Sequence, residues 1–141
     1  MKTLLTILSF SSILSTALQA TPSIPQKLAA KEIGNLLGLA LHELSFSWDA
    51  TGQIGYQVLV ASDTKKLAAD VGDLWNSGMR HSTMQSGIIC RGQALQHGQE
   101  VWWKVRVWDK EGDPSEWSEA SPFKVSTEEV KGSHVVLLGG N

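Results

Sequence analysis

The sequence predicts an all-β protein, a two-sheet β-sandwich of about seven short strands with one short helix near residues 64–71. Two observations lead to this fold class. Turn-forming residues, mainly Gly, Asn, Asp and Pro, recur at short intervals from Gly34 to Pro122. The runs between them are short and rich in residues that favour strands. Turns spaced by roughly 8 to 12 residues are typical of sandwiches.

The most regular of these runs covers residues 101–109. Successive side chains of a strand point to opposite faces, and the alternation here separates an apolar set from a set of cations and tryptophans. The apolar face consists of Val101, Trp103, Val105 and Val107, and the other face consists of Trp102, Lys104, Arg106 and Trp108.

Five further runs predict strands, at residues 44–48, 56–61, 74–75, 84–91 and 123–125. The aromatic residues Trp48, Tyr56 and Trp103 fall on apolar faces, so we expect them in the core. Residues 64–71, Thr-Lys-Lys-Leu-Ala-Ala-Asp-Val, have the only helical composition in the chain. They predict about two helical turns after the strand at 56–61.

The two ends of the chain predict segments outside the sandwich. Residues 1–20 combine Lys2 with an apolar stretch and small residues at Ala17 and Ala20, which is typical of a secretory signal peptide cleaved at either alanine. A retained membrane anchor is the weaker interpretation, because Ser and Thr interrupt the stretch. We therefore expect export to the periplasm or the extracellular space. We also expect an exposed lead-in at 21–30, the sandwich at 31–126, and a linker with an apolar tail that looks truncated at 127–141.

Composition limits the possible partners and redox chemistry. The 141 residues include 12 basic and 14 acidic side chains. This balance gives no electrostatic reason to expect nucleic acid or an anionic membrane as a partner. Cys90 is the only cysteine, so neither an intramolecular disulfide nor a thiolate metal site can form. Its neighbours Ile88 and Ile89 favour a buried, inert thiol over intermolecular pairing.

Several segments together resemble a known family. They are residues 35–38 (Asn-Leu-Leu-Gly), 44–48 (Leu-Ser-Phe-Ser-Trp), 56–62, 72–78 (Gly-Asp-Leu-Trp-Asn-Ser-Gly), 98–109 and 115–118. In order and spacing they resemble the N-terminal fibronectin type III-like (immunoglobulin-like) domain of bacterial α-L-rhamnosidases, from about residue 31 to 125. In that family the domain precedes further β domains and a helical barrel that carries the glycosidase acids. The resemblance implies that the partners of this module are the neighbouring domains of a glycoside hydrolase.

No residue pattern predicts catalysis. Glycoside hydrolysis needs two carboxyl groups facing each other across the sugar bond, whereas the acids here fall in turns, polar faces and the linker. Asp109, Glu111 and Asp113 alternate in a turn but do not match a calcium loop, and they predict a charged hairpin tip. The four histidines, His42, His81, His97 and His134, have no metal-site spacing. We expect no catalytic residue, no cofactor and no metal.

The candidate site is the face formed by Trp102, Arg106, Trp108 and Trp117. Three interpretations remain open for it: an aromatic platform for stacking sugars, a structural cation–π ladder, or a face covered by the next domain. Residues 115–118, Ser-Glu-Trp-Ser, form half of the Trp-Ser-x-Trp-Ser element of cytokine-receptor sandwiches, in which such a ladder occurs.

The sequence therefore predicts a non-catalytic, exported β-sandwich module that is a fragment or shortened paralogue of a glycoside hydrolase. The alternative is a standalone carbohydrate-binding module that uses the four candidate residues. A third hypothesis is a hydrolase whose reading frame was interrupted after Gly140.

Overall fold

The computed structural model describes residues 22–33 and 43–127. The predicted signal peptide, the Asn-Leu-Leu-Gly segment of the family resemblance and all but the first residue of the predicted tail lie outside these ranges. Among the described residues, no helix has the length and apolar character needed to cross a bilayer.

Two antiparallel sheets form the described part of the chain, and one short helix accompanies them. The first sheet has the strand order β1-β2-β6, and the second has the order β4-β3-β7-β8, with β5 also paired to β3. The predicted all-β sandwich with a short helix is confirmed. The elements are β1 (Gln26–Ile33), β2 (Glu43–Asp49), β3 (Gly55–Ala61), α1 (Thr64–Ala68), β4 (Trp75–Asn76), β5 (Arg80–His81), β6 (Ile88–Ile89), β7 (Glu100–Trp108) and β8 (Ser121–Lys124).

The core lies between the two sheets and takes alternate residues from their long strands. Phe46 of β2 and Trp103 of β7 are fully buried, and their ring centroids are 4.3 Å apart. Trp48 is also buried, while Tyr56 is half-buried and meets the Trp48 ring edge-on with centroids 5.4 Å apart. The core also contains Leu44, Val58, Val60, Ile88, Leu95, Val101, Val105, Val107 and Val125.

The first strand corrects one expectation from the sequence. Residues 26–30 lie in the predicted exposed lead-in, but they belong to β1, which pairs with β2 so that Ala30 lies opposite Phe46. The sequence Gln-Lys-Leu-Ala-Ala-Lys-Glu-Ile carries little intrinsic strand preference. The strand therefore depends on its partner, because Leu28 and Ala30 pack against the core.

The strand predicted at 84–91 is reduced to Ile88 and Ile89. Gly87 has a φ of 70°, a left-handed conformation that interrupts an extended run. Before it, the Gln85 side chain donates to the carbonyl of Ala50 at 2.7 Å and accepts from its amide at 3.2 Å. This segment therefore ties two loops together and does not extend the sheet.

The predicted helix forms but is shorter than the sequence suggests. Asp63 caps its first turn, accepting a hydrogen bond from the Lys66 amide at 2.8 Å. The helix ends at Ala68, and Asp70 takes a left-handed conformation with a φ of 61° where the prediction continued to residue 71. The helix places Leu67 against Leu59 and Ala61. It thereby covers part of the outer face of the second sheet, where the candidate site lies.

Candidate functional site

The candidate site occupies the outer face of the second sheet, along β7. The four alternate residues that begin with Val101 are buried in the core, as predicted. Trp102, Lys104, Arg106 and Trp108 point to the opposite face. Opposite them on β3, the register pairs Gln57 with Arg106 and Leu59 with Lys104.

The indole ring of Trp117 contacts two cations on this face, Lys104 and Arg106. The Arg106 guanidinium carbon lies 4.5 Å from the centroid of the Trp117 ring and 4.9 Å from that of Trp108. The ammonium nitrogen of Lys104 lies 4.8 Å from the Trp117 centroid. All three distances fall within the range of favourable cation–π contacts. The three contacts together form a cation–π ladder.

Lys104 also has a carboxylate partner. Its side chain is only 9% exposed, and its ammonium group donates a hydrogen bond to the Asp70 carboxylate, whose side chain is 57% exposed. The left-handed turn after α1 brings Asp70 to this position. The ammonium therefore keeps its charge compensated although its stem is buried.

Two serines attach the segment of Trp117 to β7. Ser118 donates its amide to the Val105 carbonyl at 2.8 Å, and its Oγ accepts from the Val105 amide at 3.1 Å. Ser115 makes the same two bonds with Val107, at 2.7 Å and 3.1 Å. Because both serines are buried, these bonds hold Trp117 over the cations. Sequence reasoning singled out this segment through its Ser-Glu-Trp-Ser resemblance but did not assign roles to the serines.

Trp102 is separated from the cation contacts. It packs against the cluster of Leu59, Ala61 and Leu67, which Trp117 also contacts from its own position. The structure thus brings Arg106, Trp108 and Trp117 together. Trp102 shares their face but contributes to the apolar packing beneath α1.

A row of polar side chains crosses the sheet beside the ladder. Arg106 donates its Nε–H to Gln57 Oε1 at 3.2 Å, and Gln57 donates its amide to Asn76 Oδ1 at 2.9 Å. Asn76 Oδ1 also accepts from the Gly78 amide at 2.9 Å. Sequence reasoning missed Gln57 and Asn76. The sequence feature that could have indicated this polar row was Gln57, a polar residue within an otherwise apolar strand.

Among the acids of the turn after β7, the Asp109 carboxylate is used by the fold. Asp109 Oδ1 accepts from the amides of Glu111 and Asp113, each at 3.0 Å, so the carboxylate closes its own turn. In the ranges 22–33 and 43–127, no group of three or more His, Cys, Asp or Glu side chains is placed to hold a metal ion.

Asp73 has a perturbed pKa. Burial alone would raise this pKa, but hydrogen bonds from the Ser62 hydroxyl and amide and the nearby Lys66 ammonium together lower it. The Ser62 hydroxyl lies 2.6 Å from the carboxylate and the Lys66 ammonium lies 3.3 Å away. A carboxyl that acts as a general acid at neutral pH needs the opposite shift.

Cys90 is a free, half-buried thiol at the end of β6. Burial raises its pKa, and a backbone hydrogen bond from Gly92 opposes the shift only in part. A thiol with a raised pKa is less reactive, because the thiolate is the nucleophile.

The two antiparallel sheets and the serine-anchored tryptophan ladder define an immunoglobulin-like or fibronectin type III-like sandwich module. Residues 25–128 match the family described as the Rha78A-like, N-terminal immunoglobulin domain. The chain belongs to this family, which confirms the resemblance drawn from the sequence.

Several α-L-rhamnosidases are among the proteins similar to this chain. One from Formosa agariphila is 37% identical over 86 residues, which is 57% of this chain and 9% of that protein. The solved structure of α-L-rhamnosidase from Dictyoglumus thermophilum is 28% identical with a TM-score of 0.65, covering 77% of this chain and 13% of that one. The Streptomyces avermitilis enzyme, solved in complex with L-rhamnose, is 30% identical with a TM-score of 0.60, covering 72% of this chain and 10% of that one. This chain thus spans about a tenth of the length of these relatives.

Proposed function

We propose that the chain is a non-catalytic, exported module that packs against the neighbouring domains of an α-L-rhamnosidase-type glycoside hydrolase. The observation that carries this proposal is that the matched residues, 25–128, correspond to an N-terminal immunoglobulin domain. The proposal of export rests on the signal-like residues 1–20.

The arrangement of the acids supports a module without turnover. A glycosidase holds two carboxyl groups across the scissile bond, and the general acid has a raised pKa. Here Asp70 pairs with Lys104, Asp109 binds backbone amides, and Asp73 has a lowered pKa. Each of these carboxylates stabilises a turn or an ion pair of the sandwich.

The first test measures hydrolysis. The purified full chain, incubated with a chromogenic aryl α-L-rhamnoside, should release no more phenol than buffer does, while the Streptomyces avermitilis enzyme serves as the active reference. Hydrolysis by the chain that disappears when one of its acids is replaced by its amide would contradict the proposal.

The second test measures the architectural role. Residues 22–127 are inserted in place of the matched domain of the Streptomyces avermitilis enzyme, and a matched deletion variant of that enzyme lacks the domain altogether. We expect the chimera to retain more soluble, active enzyme than the deletion variant does. Equal loss in the chimera and the deletion variant would argue against a supporting role for this sandwich.

A further inference from the structure

Two cations lie under the same indole, but they differ in their charge environment. Lys104 is paired with Asp70. Arg106 is half-buried, and no carboxylate within residues 22–33 and 43–127 forms an ion pair with it. A partly desolvated cation without a counter-ion is costly, so a bound anion at Arg106 would be favourable.

The Arg106 guanidinium is held in one orientation. Its Nε–H donates to Gln57 Oε1 at 3.2 Å, and its central carbon lies 4.9 Å from the ring centroid of Trp108 and 4.5 Å from that of Trp117. The two terminal amino groups donate to no acceptor among the described residues. A guanidinium presents parallel N–H donors that match the two oxygens of a carboxylate. Because the protein has already fixed the donor, little side-chain entropy remains to be lost when an acid binds.

The surroundings of Arg106 offer a further hydrogen-bond donor and two aromatic rings to a ligand. Asn76 is exposed, and its Oδ1 is occupied by Gln57 and Gly78, which leaves its amide N–H groups facing no acceptor among the described residues. Two half-buried indoles flank the guanidinium.

We infer that this face binds the carboxylate of a uronic acid residue in an acidic oligosaccharide. Arg106 holds the carboxylate through its two terminal amino groups. Asn76 donates to a ring hydroxyl, and the edges of Trp108 and Trp117 contact the sugar ring. This binding activity is separate from the architectural role proposed above and does not depend on it.

The test titrates the full chain with oligogalacturonate and, as a matched ligand, with the same oligosaccharide methyl-esterified at its carboxyl groups. Binding is followed by tryptophan emission and by the indole N–H resonances of Trp108 and Trp117. The variants are Arg106→Gln, Arg106→Lys, which keeps the charge and the cation–π contact, and Arg91→Gln as a control. Arg91 is exposed and lies outside the site. Thermal unfolding of each variant shows that it is folded.

We expect saturable shifts at Trp108 and Trp117 with the acid and a flat response with the ester. Arg106→Gln should weaken binding by at least about tenfold, Arg106→Lys should weaken it to a smaller extent, and Arg91→Gln should bind like the wild type. Equal binding of the acid and the ester would overturn the inference. Wild-type affinity in both Arg106→Lys and Arg106→Gln, with both variants folded, would overturn it as well. A flat response of the wild-type chain to both ligands would also overturn it and would point to a carboxylate of a neighbouring domain as the occupant.

Discussion

Ser118 is bonded to Val105 through both its backbone and its side chain, at 2.8 Å and 3.1 Å. Its hydroxyl takes the place that a neighbouring strand's carbonyl would occupy, so the buried Val105 amide is satisfied without a regular strand beside it. Ser115 and Val107 repeat the relationship three residues earlier. The position of Trp117 between these two serines depends on both pairs.

Replacing either serine should therefore destabilise the fold. Ser118→Ala and Ser115→Ala each leave a buried amide without an acceptor, at an expected cost of about 1–3 kcal/mol in the free energy of unfolding. Chemical denaturation followed by tryptophan emission measures this cost. Ser86→Ala is the control, because Ser86 is exposed. Equal stability of all three variants would show that water replaces the hydroxyls at no cost.

Replacing Asp70 should lower the stability of the fold only while Lys104 is present. Asp70→Asn keeps a residue that tolerates the left-handed backbone, but it leaves the largely buried ammonium without its counter-charge. We expect a loss of about 1 kcal/mol, a modest value because Asp70 is largely exposed. Lys104→Met preserves the packed stem, so adding Asp70→Asn to it should cost little more.

A double-mutant cycle of thermal or chemical unfolding compares the effect of Asp70→Asn with and without Lys104. Glu119→Gln is the control for a lost surface charge, because Glu119 is exposed. Additive effects of the two substitutions would mean that the ion pair contributes no coupling energy.

Stability should depend on pH through Asp73. The pKa of this carboxyl is lowered from 3.8 in the folded chain, so the unfolded state binds a proton more readily. The stabilisation is fully present above 3.8 and is lost as the pH falls through the lower folded value. Asp73→Asn should thus be about 1 kcal/mol less stable than the wild type at pH 7, and the difference should narrow below pH 4.

Unfolding curves recorded for both proteins between about pH 7 and pH 2 follow this difference. Glu111→Gln is the control because Glu111 is an exposed acid at the hairpin tip. A constant difference at every pH would assign the effect to packing and not to the charge of Asp73.

Cys90 should react slowly in the folded chain. Since burial raises the pKa of its thiol, the thiolate fraction at pH 8 is smaller than in an unfolded chain. Alkylation by iodoacetamide should be roughly tenfold slower than in denaturant. Mass spectrometry of timed samples gives both rates, and equal rates would mean that the thiol is freely accessible.

The sequence predicted the parts of the fold that follow from alternation. The pattern of β7 assigned Trp103 to the core and Arg106 to the outer face, since a strand has only two faces. β1 could not be predicted in this way, because its residues carry little intrinsic strand preference and become a strand by pairing with β2. The pair Arg80 and His81 of β5 has no apolar pattern that could have revealed it.

The sequence predicted which residues form the candidate site, but it did not predict all of their contacts. The contact of Arg106 with Trp117 could be anticipated from spacing, because a short turn returns the chain to β7. The separate role of Trp102 could not, since it depends on how α1 folds over Leu59. The pairing of Lys104 with Asp70 likewise arises from a left-handed residue after the helix, 34 positions away in sequence.

The serine-anchored segment and β8 lie along the same side of β7, and each contains a proline, Pro114 and Pro122. Proline has no amide hydrogen, and the serine hydroxyls replace some of the regular backbone hydrogen bonds of the sheet. This border therefore offers an incomplete row of donors to an incoming strand. Copies of the chain should consequently resist joining edge to edge along this border.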